Sequence, residues 1–416
     1  MKVLWFTNIM LPEFARALGR TPVNSGGWMD SLLSSLQKYA SDVELCIVCM
    51  NHNGVLPQHR IGTVTYMTLG TNPVHEAESI LAGFCPDVIH IHGTEGIAQL
   101  LPQSIVGDSK TVVSIQGVLS GCFPHYVGCL SPGEIAPFRN RIKEVLRKTG
   151  LYQLAALWRT QRVPREKDVF SKVRNLAGRT EWDLAWAKAL SPSARYFTIG
   201  EILRQPFYSG VQDRDRERDS HRIYCSAAMS YPLKGGHWLL HATGLLKERF
   251  PDVKLCVANA RKVLCPDSFI GRIKWGDYER YLNHVIGELG LTHNVELLDD
   301  LTAGEVADQL RRAEVFCLPS HCENSPNSLG EAQLLGVPCV ATYVGGVPSM
   351  LKDGEDGLLV PSGDPAVLAN AIEKMFTDKA FASSCAARSF EKARKRHDPQ
   401  TVVSQLLSCY NAISGK

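Results

Sequence analysis

The sequence predicts an α/β protein made of two doubly wound parallel-sheet domains of the Rossmann type that face each other across a cleft. Its 416 residues exceed what one hydrophobic core usually fills, so two domains of roughly 200 residues each are expected. Short apolar runs alternate with helical patterns in both halves, which is the rhythm of a parallel sheet covered by helices. A charge-dense stretch with little to bury, 207–221, separates the halves and is interpreted as a linker.

The first half, 1–206, begins with the strand pattern KVLWFT and the helix pattern WMDSLLSSLQKYA. The strand patterns VELCIVC, DVIHIH, TVVSIQ and ARYFTI follow. The first apolar run is short and is broken by Asn8 and Pro12, so it is predicted as a strand rather than a signal peptide. No stretch reaches the roughly 18 apolar residues that a membrane-spanning helix requires, and a cytoplasmic location is expected.

The second half, 222–395, repeats this rhythm, and 396–416 form a last helix. The predicted strands are RIYCSAA, VKLCVA, NVELL, VFCLP, VPCVAT and GLLV. Helices are predicted for HWLLHATGLLKERF, for AGEVADQLRRA and from about Pro365. Ligands of such sheets bind at the carboxyl ends of the strands, so the cleft between the domains is the expected site.

Composition narrows the class of protein. The chain is 44% apolar and 21% charged, as globular proteins are, and this argues against disorder or a coiled coil. A net charge of +3 is too small to indicate nucleic acid as a partner. The thirteen cysteines are scattered and many lie in apolar runs. They predict buried free thiols rather than a disulfide framework or a zinc site.

One stretch, HCENSPNSLGEAQLLGVPCVAT from His321, carries the chemistry. Glu323 is predicted where a strand ends, and Ser325 and Pro326 are predicted as the N-cap and first residue of a helix. The first free amides of that helix would form an anion site; they belong to Asn327, Ser328 and Leu329. Glu331, further along the helix, is placed for ribose hydroxyls. An anion on amides with a polyol at each carboxylate describes a nucleotide sugar.

The longer stretch 319–365 resembles the donor-binding half of retaining glycosyltransferases of the GT-B fold, family four (glycosyl transferases group 1), of the bacterial surface-polysaccharide type. The resemblance rests on the E-x7-E spacing of Glu323 and Glu331 and on the following G-x-P, T-x-x-G-G and D-G-x-x-G-x-L-V patterns. NSGGWMDSLLSSL and YPLKGGHWLLHA extend it over essentially the whole chain. It implies that 396–416 cross back to the first domain.

The resemblance also implies roles for single residues. Gly26 and Gly27 would form the glycine-rich loop that approaches the donor diphosphate, because a Cβ would block the backbone there; a plain strand-to-helix turn is the structural alternative. Lys234 would pair with the diphosphate, against the alternative of a solvated helix start. Glu323 would position the sugar through its hydroxyls.

The implied reaction is transfer from a UDP- or GDP-linked sugar with retention at the anomeric carbon, the phosphate oxygen taking the acceptor proton. The sequence contains no H-E-x-x-H motif, no D-x-D between apolar strands and no His/Cys cluster. We therefore predict no metal and no cofactor, with Lys234 and helix amides stabilising the leaving diphosphate.

Two departures from the family pattern bear on activity. Ala228 stands where the family commonly has an arginine, and Gln116 stands where it often has a histidine. Glutamine donates a hydrogen bond but carries no proton. His92, at the end of the preceding strand, is a candidate substitute, and a buried core histidine is the alternative.

Two further segments are assigned to the acceptor side. Arg179, Glu181 and Trp182 in GRTEWD resemble a segment of surface-polysaccharide members, while a structural turn is the alternative. The helical segment 138–175 is basic, because 139–174 hold eleven lysines and arginines against three acids, a net charge of +8. It suits an anionic membrane surface at the inner face of the plasma membrane and a polyprenyl-diphosphate-linked glycan; a solvated helical hairpin on the first domain is the alternative.

Two other functions stay open at this point. A catalytically idle nucleotide-sugar-binding scaffold fits the departures at Ala228 and Gln116. A sugar-nucleotide epimerase of the same fold needs no basic acceptor surface. A dehydrogenase is excluded, because no G-x-G-x-x-G follows the first strand.

Overall fold

The computed structural model describes residues 1–22, 26–51, 54–140, 144–145, 150–212, 218–226, 229, 231–264 and 275–415. The strands are β1 (Lys2–Thr7), β2 (Glu44–Met50), β3 (His59–Ile61), β4 (Val64–Leu69), β5 (Val88–His92), β6 (Thr111–Ser114), β7 (Asn175–Gly178), β8 (Arg195–Thr198), β9 (Arg222–Cys225), β10 (Lys254–Val257), β11 (Val295–Leu297), β12 (Val315–Leu318), β13 (Cys339–Thr342) and β14 (Leu358–Val360).

The α-helices are α1 (Pro12–Ala17), α2 (Gly27–Tyr39), α3 (Pro73–Phe84), α4 (Gln103–Val106), α5 (Leu119–Cys122), α6 (Pro132–Ile135), α7 (Leu151–Leu157), α8 (Val163–Lys172), α9 (Glu181–Leu190), α10 (Gly236–Lys247), α11 (Arg261–Leu264), α12 (Asp277–Glu288), α13 (Ala303–Arg312), α14 (Asn327–Leu334), α15 (Pro365–Thr377), α16 (Lys379–Arg396) and α17 (Pro399–Ser414). Within the described residues, no helix is both long enough and apolar enough to span a membrane.

The strands form two sheets, as the sequence predicted. The first has the order β3-β4-β2-β1-β5-β6-β7-β8, and the second has the order β11-β10-β9-β12-β13-β14. All neighbouring strands run parallel except β3 and β4. In each sheet the order reverses direction beside the first strand of that half, the arrangement that concentrates ligand-binding loops at the carboxyl ends of the strands. The predicted two-sheet α/β class is confirmed.

The chain divides into two compact units, and their boundaries differ from a single division at the predicted linker. The first unit comprises 1–120, 161–204 and 396–416, and the second comprises 121–160 and 205–395. Residues 121–160 thus belong to the second unit, although the sequence interpretation placed them in a first domain of 1–206. The last helix, α17, belongs to the first unit.

The inserted segment 121–160 packs on the core of the second unit through buried apolar side chains, those of Tyr126, Leu130, Ile135 and Leu151. Asp277 fixes it, since its two carboxylate oxygens accept from the amides of Asn140 and Leu151, each at 3.0 Å. Trp158 also packs against this core. Among the described apolar residues interleaved with the basic ones, Leu151, Leu154 and Trp158 thus pack on the second unit, whereas Leu157 is 39% exposed.

The stretch predicted as a linker, 207–221, is also partly structured. A 3₁₀ helix spans Gln205–Gln212, and Phe207 is completely buried. Arg218 donates to the backbone carbonyls of Ala313 and Gly336, at 3.1 and 2.9 Å. Helix C-termini leave such carbonyls without a partner, so Arg218 caps them. Residues 213–217, with part of the charge that suggested a linker, lie outside the described residues, as does Ala228.

A buried hydrogen-bond chain ties α17 to the first sheet. The Trp5 indole donates to Tyr410 Oη at 2.8 Å, and Tyr410 Oη lies 2.7 Å from His90 Nδ1. His90 Nε2 lies 2.6 Å from Ser114 Oγ. Burial lowers the pKa of His90 to about 3. The ring is therefore neutral at pH 7, and the Tyr410 hydroxyl donates to its Nδ1.

Replacing Tyr410 with phenylalanine is expected to lower the free energy of unfolding by about 1–3 kcal/mol, because the Trp5 indole and His90 Nδ1 each lose a buried partner. Denaturant unfolding of Tyr410→Phe against the parent chain measures the change. Tyr39→Phe, at a tyrosine with 39% exposure in the same unit, is the matched control. Equal midpoints for the parent and Tyr410→Phe would show that the hydrogen bonds of Tyr410 with Trp5 and His90 contribute no stability.

Candidate functional site

The two charged residues singled out at the carboxyl ends of the second sheet are in contact. Lys234 lies in a 3₁₀ turn, Pro232–Lys234, after β9, and Glu323 lies in the loop after β12. β9 and β12 are neighbouring parallel strands, so their following loops meet at one edge of the sheet. Lys234 Nζ donates to Glu323 Oε1 at 2.6 Å. The side chains are 32% and 12% exposed, so the pair lies at a partly open surface of the second unit.

The backbone holds these two loops together. Gly235 has φ of 71°, the left-handed region that favours glycine, and a Cβ there would overlap the carbonyl oxygen of Pro319. The amide of His321 donates to the carbonyl of Leu233 at 2.8 Å. The Lys-Gly-Gly sequence is thus required for a close approach between the loops, which accounts for the position of Lys234 beside Glu323.

Glu323 is fixed on both its side chain and its backbone. Ser320 Oγ donates to Oε1 at 2.7 Å, the same oxygen that Lys234 contacts. The amide of Gly346 donates to the carbonyl of Glu323 at 2.9 Å. Gly345 has φ of 49°, and a Cβ there would overlap that carbonyl oxygen. The T-x-x-G-G pattern therefore supports the backbone of Glu323, a role that the sequence pattern alone did not reveal.

The charge of Lys234 is secured by its partner. Burial by itself would lower the pKa of Lys234, but the Glu323 carboxylate outweighs burial and holds the pKa above its ordinary value. Among the described residues, Lys234 and Ser320 both contact Glu323 Oε1, and none donates a hydrogen bond to Oε2. The second carboxylate oxygen is thus placed to accept from a hydroxyl group of a ligand.

Helix α14 begins one residue later than predicted. Its N-cap is Pro326, with φ of −69° and ψ of 112°, and no side chain caps it. Ser325 Oγ instead points to Met350 Sδ at 3.6 Å, so the predicted serine cap is wrong. The amide of Leu329 donates to the carbonyl of Pro326 at 3.0 Å. Leu329 is therefore not a free donor at the helix start.

The amides of Asn327 and Ser328 lie in the first turn of α14, where the amides of a helix have no carbonyl acceptor within the helix. They supply donors and the positive end of the helix dipole next to the loop that carries Glu323. The buried side-chain oxygen of Asn327 has no partner in the described part of the chain. Glu331 lies in the same helix and is buried, with 4% of its surface exposed. Its predicted contact with a ribose stays a prediction.

Three of the residues predicted for the acceptor half meet at one cavity in the first unit. His92 is the last residue of β5, and Gln116 and Arg179 follow β6 and β7. The three residues line a cavity of about 30 Å³. Arg179 Nη2 donates to Gln116 Oε1 at 3.2 Å and to the carbonyl of Ile115 at 3.1 Å, and Nη1 contacts the Glu201 carboxylate. Arg179 thus orients the amide of Gln116.

His92 is enclosed by aromatic rings. It stacks on His90 with centroids 3.8 Å apart and meets Trp5 edge-on at 4.8 Å. Burial, the neighbouring His90 and Arg179 all lower the pKa of His92. Its Nε2 has no hydrogen-bond partner in the described residues. His92 is thus neutral at pH 7, and whether it acts in catalysis stays a prediction.

The remaining predicted site residues lie elsewhere in the first unit. Gly26 has φ of 80° at the N-cap of α2, where a Cβ would overlap Ile9, and Gly27 opens the helix. Glu181 and Trp182 lie in the first turn of α9 and do not line the cavity. Trp182 meets Trp186 edge-on at 6.3 Å and packs against the core, and its acceptor-side role stays a prediction. The described residues contain no cluster of three or more histidine, cysteine or acidic side chains suited to a metal ion.

Known proteins resemble this chain in the region that contains Lys234 and Glu323. The profile of the family described as "Glycosyl transferases group 1" matches residues 212–396, which is less than half of the chain. A D-inositol 3-phosphate glycosyltransferase of Corynebacterium urealyticum is 30% identical over 183 residues, 44% of this chain and 41% of that protein. The chain thus matches about two-fifths of the length of this curated relative.

Two solved structures resemble the whole chain. Sucrose-phosphate synthase from Thermosynechococcus elongatus aligns over 99% of both chains with a TM-score of 0.68 and 16% identity. Anabaena HepE in complex with UDP-glucose aligns over 99% of this chain and 100% of its own, with a TM-score of 0.62 and 16% identity. At this identity the likeness shows the fold. The chain therefore has a GT-B-type fold of two parallel-sheet α/β domains, and its second half matches the glycosyl transferases group 1 family.

Proposed function

We propose that this protein is a retaining glycosyltransferase that moves a sugar from a nucleoside-diphosphate sugar to a glycan or lipid-linked glycan acceptor in cell-surface polysaccharide synthesis. The observation that carries the proposal is the contact of Lys234 with Glu323 at 2.6 Å, between the loops after β9 and β12. The helix α14 begins four residues after Glu323. A cation, helix amides and a carboxylate match the diphosphate and the sugar hydroxyls of such a donor.

The same groups account for bond cleavage. The Lys234 ammonium is held charged by Glu323, and a bound diphosphate would compete with that carboxylate for it. As the bond between sugar and phosphate breaks, negative charge grows on the leaving diphosphate. Lys234 and the amides of Asn327 and Ser328 stabilise that charge, and each such donor contributes roughly 3 kcal/mol to lowering the barrier. Glu323, kept in place by Ser320, positions the sugar through its hydroxyls.

Retention and metal independence belong to the proposal. In the proposed reaction the acceptor oxygen attacks the anomeric carbon from the face that the diphosphate leaves, and the diphosphate oxygen takes the acceptor proton. No protein base is needed in this scheme, which agrees with a neutral His92 and with Gln116 at the end of β6. Lys234 and the helix amides supply the charge stabilisation that a divalent metal provides in other enzymes.

The choice of donor and acceptor draws on the comparisons. Because Anabaena HepE was solved with UDP-glucose, UDP-linked hexoses are the first donors to test and GDP-linked sugars the second. The acceptor proposed here is a polyprenyl-diphosphate-linked glycan. The exposed basic side chains Arg159, Arg165 and Lys167 would favour its anionic headgroup at the inner face of the plasma membrane. The name of the Corynebacterium relative makes inositol 3-phosphate the alternative acceptor to test in parallel.

A thermal-shift screen against UDP-, GDP-, ADP- and dTDP-sugars, with and without EDTA, tests the donor. We expect sugars linked to one nucleotide to stabilise the protein, and we expect this stabilisation to persist in EDTA. At a ligand concentration of 100 times Kd, the free energy of unfolding should rise by about 2.7 kcal/mol. Labelled donor is then supplied with each acceptor, and the anomeric configuration of the product is read by NMR.

Each result of the screen has a defined meaning. Stabilisation that disappears with EDTA would contradict metal independence, and an inverted product would contradict retention. Binding without product on any acceptor would favour the idle scaffold, and release of an altered sugar nucleotide would favour the epimerase. Absence of binding to every nucleotide sugar would overturn the proposed function.

A further inference from the structure

Two free thiols meet directly beside the Lys234 and Glu323 pair. Cys122 ends helix α5, and Cys322 immediately precedes Glu323 in the loop after β12. Their sulfur atoms lie 3.4 Å apart, although the two residues are 200 positions apart in the chain. Both residues belong to the second unit, in which the inserted segment brings Cys122 to the site.

The environment of the two thiols differs in a way that suits stepwise oxidation. Cys122 is half-buried and is reached first by a small reagent, whereas Cys322 is buried, with 4% exposure. The hydrogen bond with Cys122, followed by burial, raises the pKa of Cys322, and the Lys234 ammonium acts in the opposite direction. Cys322 is thus protected from solvent reagents but lies within reach of a modified Cys122.

We propose that Cys122 and Cys322 form a reversible disulfide that switches off nucleotide-sugar binding at Lys234 and Glu323. The oxidant is a low-molecular-weight disulfide such as oxidised glutathione. The Cys122 thiolate attacks one sulfur of that disulfide, forming a mixed disulfide and releasing one small thiol. The Cys322 thiolate then attacks Cys122 Sγ and releases the second small thiol. Two protein thiols are oxidised, one small disulfide is reduced to two thiols, and the protons of both cysteines pass to the released thiolates.

Bond formation must move the loop that carries Glu323. A disulfide needs sulfur atoms about 2.05 Å apart, so the 3.4 Å separation has to close by more than 1 Å. Glu323 is the next residue in the chain after Cys322, and its position depends on the hydrogen bonds from Ser320 Oγ and the Gly346 amide. Drawing Cys322 toward Cys122 therefore displaces Glu323 from Lys234. A carboxylate displaced by about 1 Å no longer accepts from the sugar hydroxyls at hydrogen-bond distance, so the affinity for a nucleotide sugar falls.

The other thiols of the described second unit are placed differently. Cys129 is exposed, and its sulfur lies 3.7 Å from His321 Nδ1 rather than near another thiol. Cys317 is completely buried inside β12. The sulfur atoms of Cys122 and Cys322, by contrast, lie 3.4 Å apart at a half-buried position. Oxidation of the folded protein should therefore be selective for this pair.

The test treats the reduced full-length protein with oxidised glutathione at neutral pH, blocks free thiols and identifies cross-linked peptides by mass spectrometry. We expect a Cys122–Cys322 peptide, an affinity for UDP-glucose at least 10-fold weaker by calorimetry, and full recovery with dithiothreitol. Cys122→Ser should abolish both effects while leaving the UDP-glucose affinity of the reduced protein unchanged. Cys129→Ser and Cys85→Ser, at exposed thiols, are the matched controls that should keep both effects.

Detection of the cross-linked peptide by mass spectrometry does not depend on glycosyl transfer. The switching role of the disulfide, in contrast, rests on the proposed function. The proposal would be overturned if the Cys122–Cys322 peptide were absent, or if it formed only in unfolded protein. Formation of the disulfide with unchanged UDP-glucose affinity would overturn the switching role. A reduced protein that binds no nucleotide would remove the proposed function and the switch together, while the peptide still reports whether the pair forms.

Discussion

Glu323→Gln and Lys234→Met are each expected to reduce glycosyl transfer by roughly 10²–10³-fold while the protein stays folded. Lys234→Met removes the cation proposed to stabilise the leaving diphosphate. Glu323→Gln keeps the shape of the side chain but removes the charge that raises the pKa of Lys234 and accepts from its ammonium at 2.6 Å. Initial rates with a UDP- or GDP-linked donor, with circular dichroism to verify folding, measure the effect.

A second lysine and glutamate pair on the same unit provides the control. Lys352 and Glu355 form a contact of 2.5 Å with side chains 67% and 49% exposed. Such surface pairs contribute about 0–1 kcal/mol to stability, so Lys352→Met should leave transfer unchanged. Parent-like turnover in either Glu323→Gln or Lys234→Met would refute the assignment of the site.

The second large effect is expected for Gly345→Ala, which should abolish turnover by displacing the backbone of Glu323. A Cβ at Gly345 would overlap the Glu323 carbonyl oxygen, and backbone cannot yield as the end of a flexible side chain does. The displacement would also break the hydrogen bond from the Gly346 amide to that carbonyl. Turnover and nucleotide affinity, with the thermal midpoint recorded in parallel, measure the change.

Gly354→Ala separates the collision from simple backbone strain. Gly354 has φ of 70°, similar to the 49° of Gly345, but a Cβ there meets nothing within 4 Å. The control should therefore lose only the roughly 1–2 kcal/mol that a left-handed conformation costs an alanine, and it should keep its activity. If both variants lose turnover equally, the collision with Glu323 is not the cause.

Periodicity was sufficient for the two-sheet fold but not for every strand. The long apolar runs at β1, β2 and β5 can be recognised from residue type alone. β7, by contrast, is the four-residue run NLAG, in which asparagine and glycine suggest a turn. It forms a strand because it pairs with both β6 and β8. Tertiary pairing overrides weak local preference here.

The sequence singled out Lys234 and Glu323 without indicating that these two residues contact each other. The spacing of Glu323 and Glu331 and the Lys-Gly-Gly at Lys234 pointed to donor binding, but 89 positions separate Lys234 from Glu323 in the chain. The pair forms only because β9 and β12 are neighbours in the sheet. The predicted cap at Ser325 was wrong because the residue before the helix, Pro326, takes the N-cap position in an extended conformation.

The predicted position of 121–160 differed from the structure for a related reason. Its helices α6 and α7 are short, and their apolar residues do not reveal which core they will cover. The partner is a carboxylate, Asp277, more than 120 positions further on, which accepts two of the segment's amides. Contacts at such separations leave no trace in local periodicity.

The inserted segment has a consequence for how the protein can be divided and made. Residues 121–160 are synthesised well before the helix that carries Asp277. Their apolar side chains can therefore be buried only after the later half of the chain has been made. A fragment that begins at 207, at the apparent linker, would lack the cover that Tyr126, Leu130 and Leu151 give its core. We therefore expect that a protein cut at that point yields a second half with an exposed apolar core surface and a first half with apolar side chains that have nothing to cover.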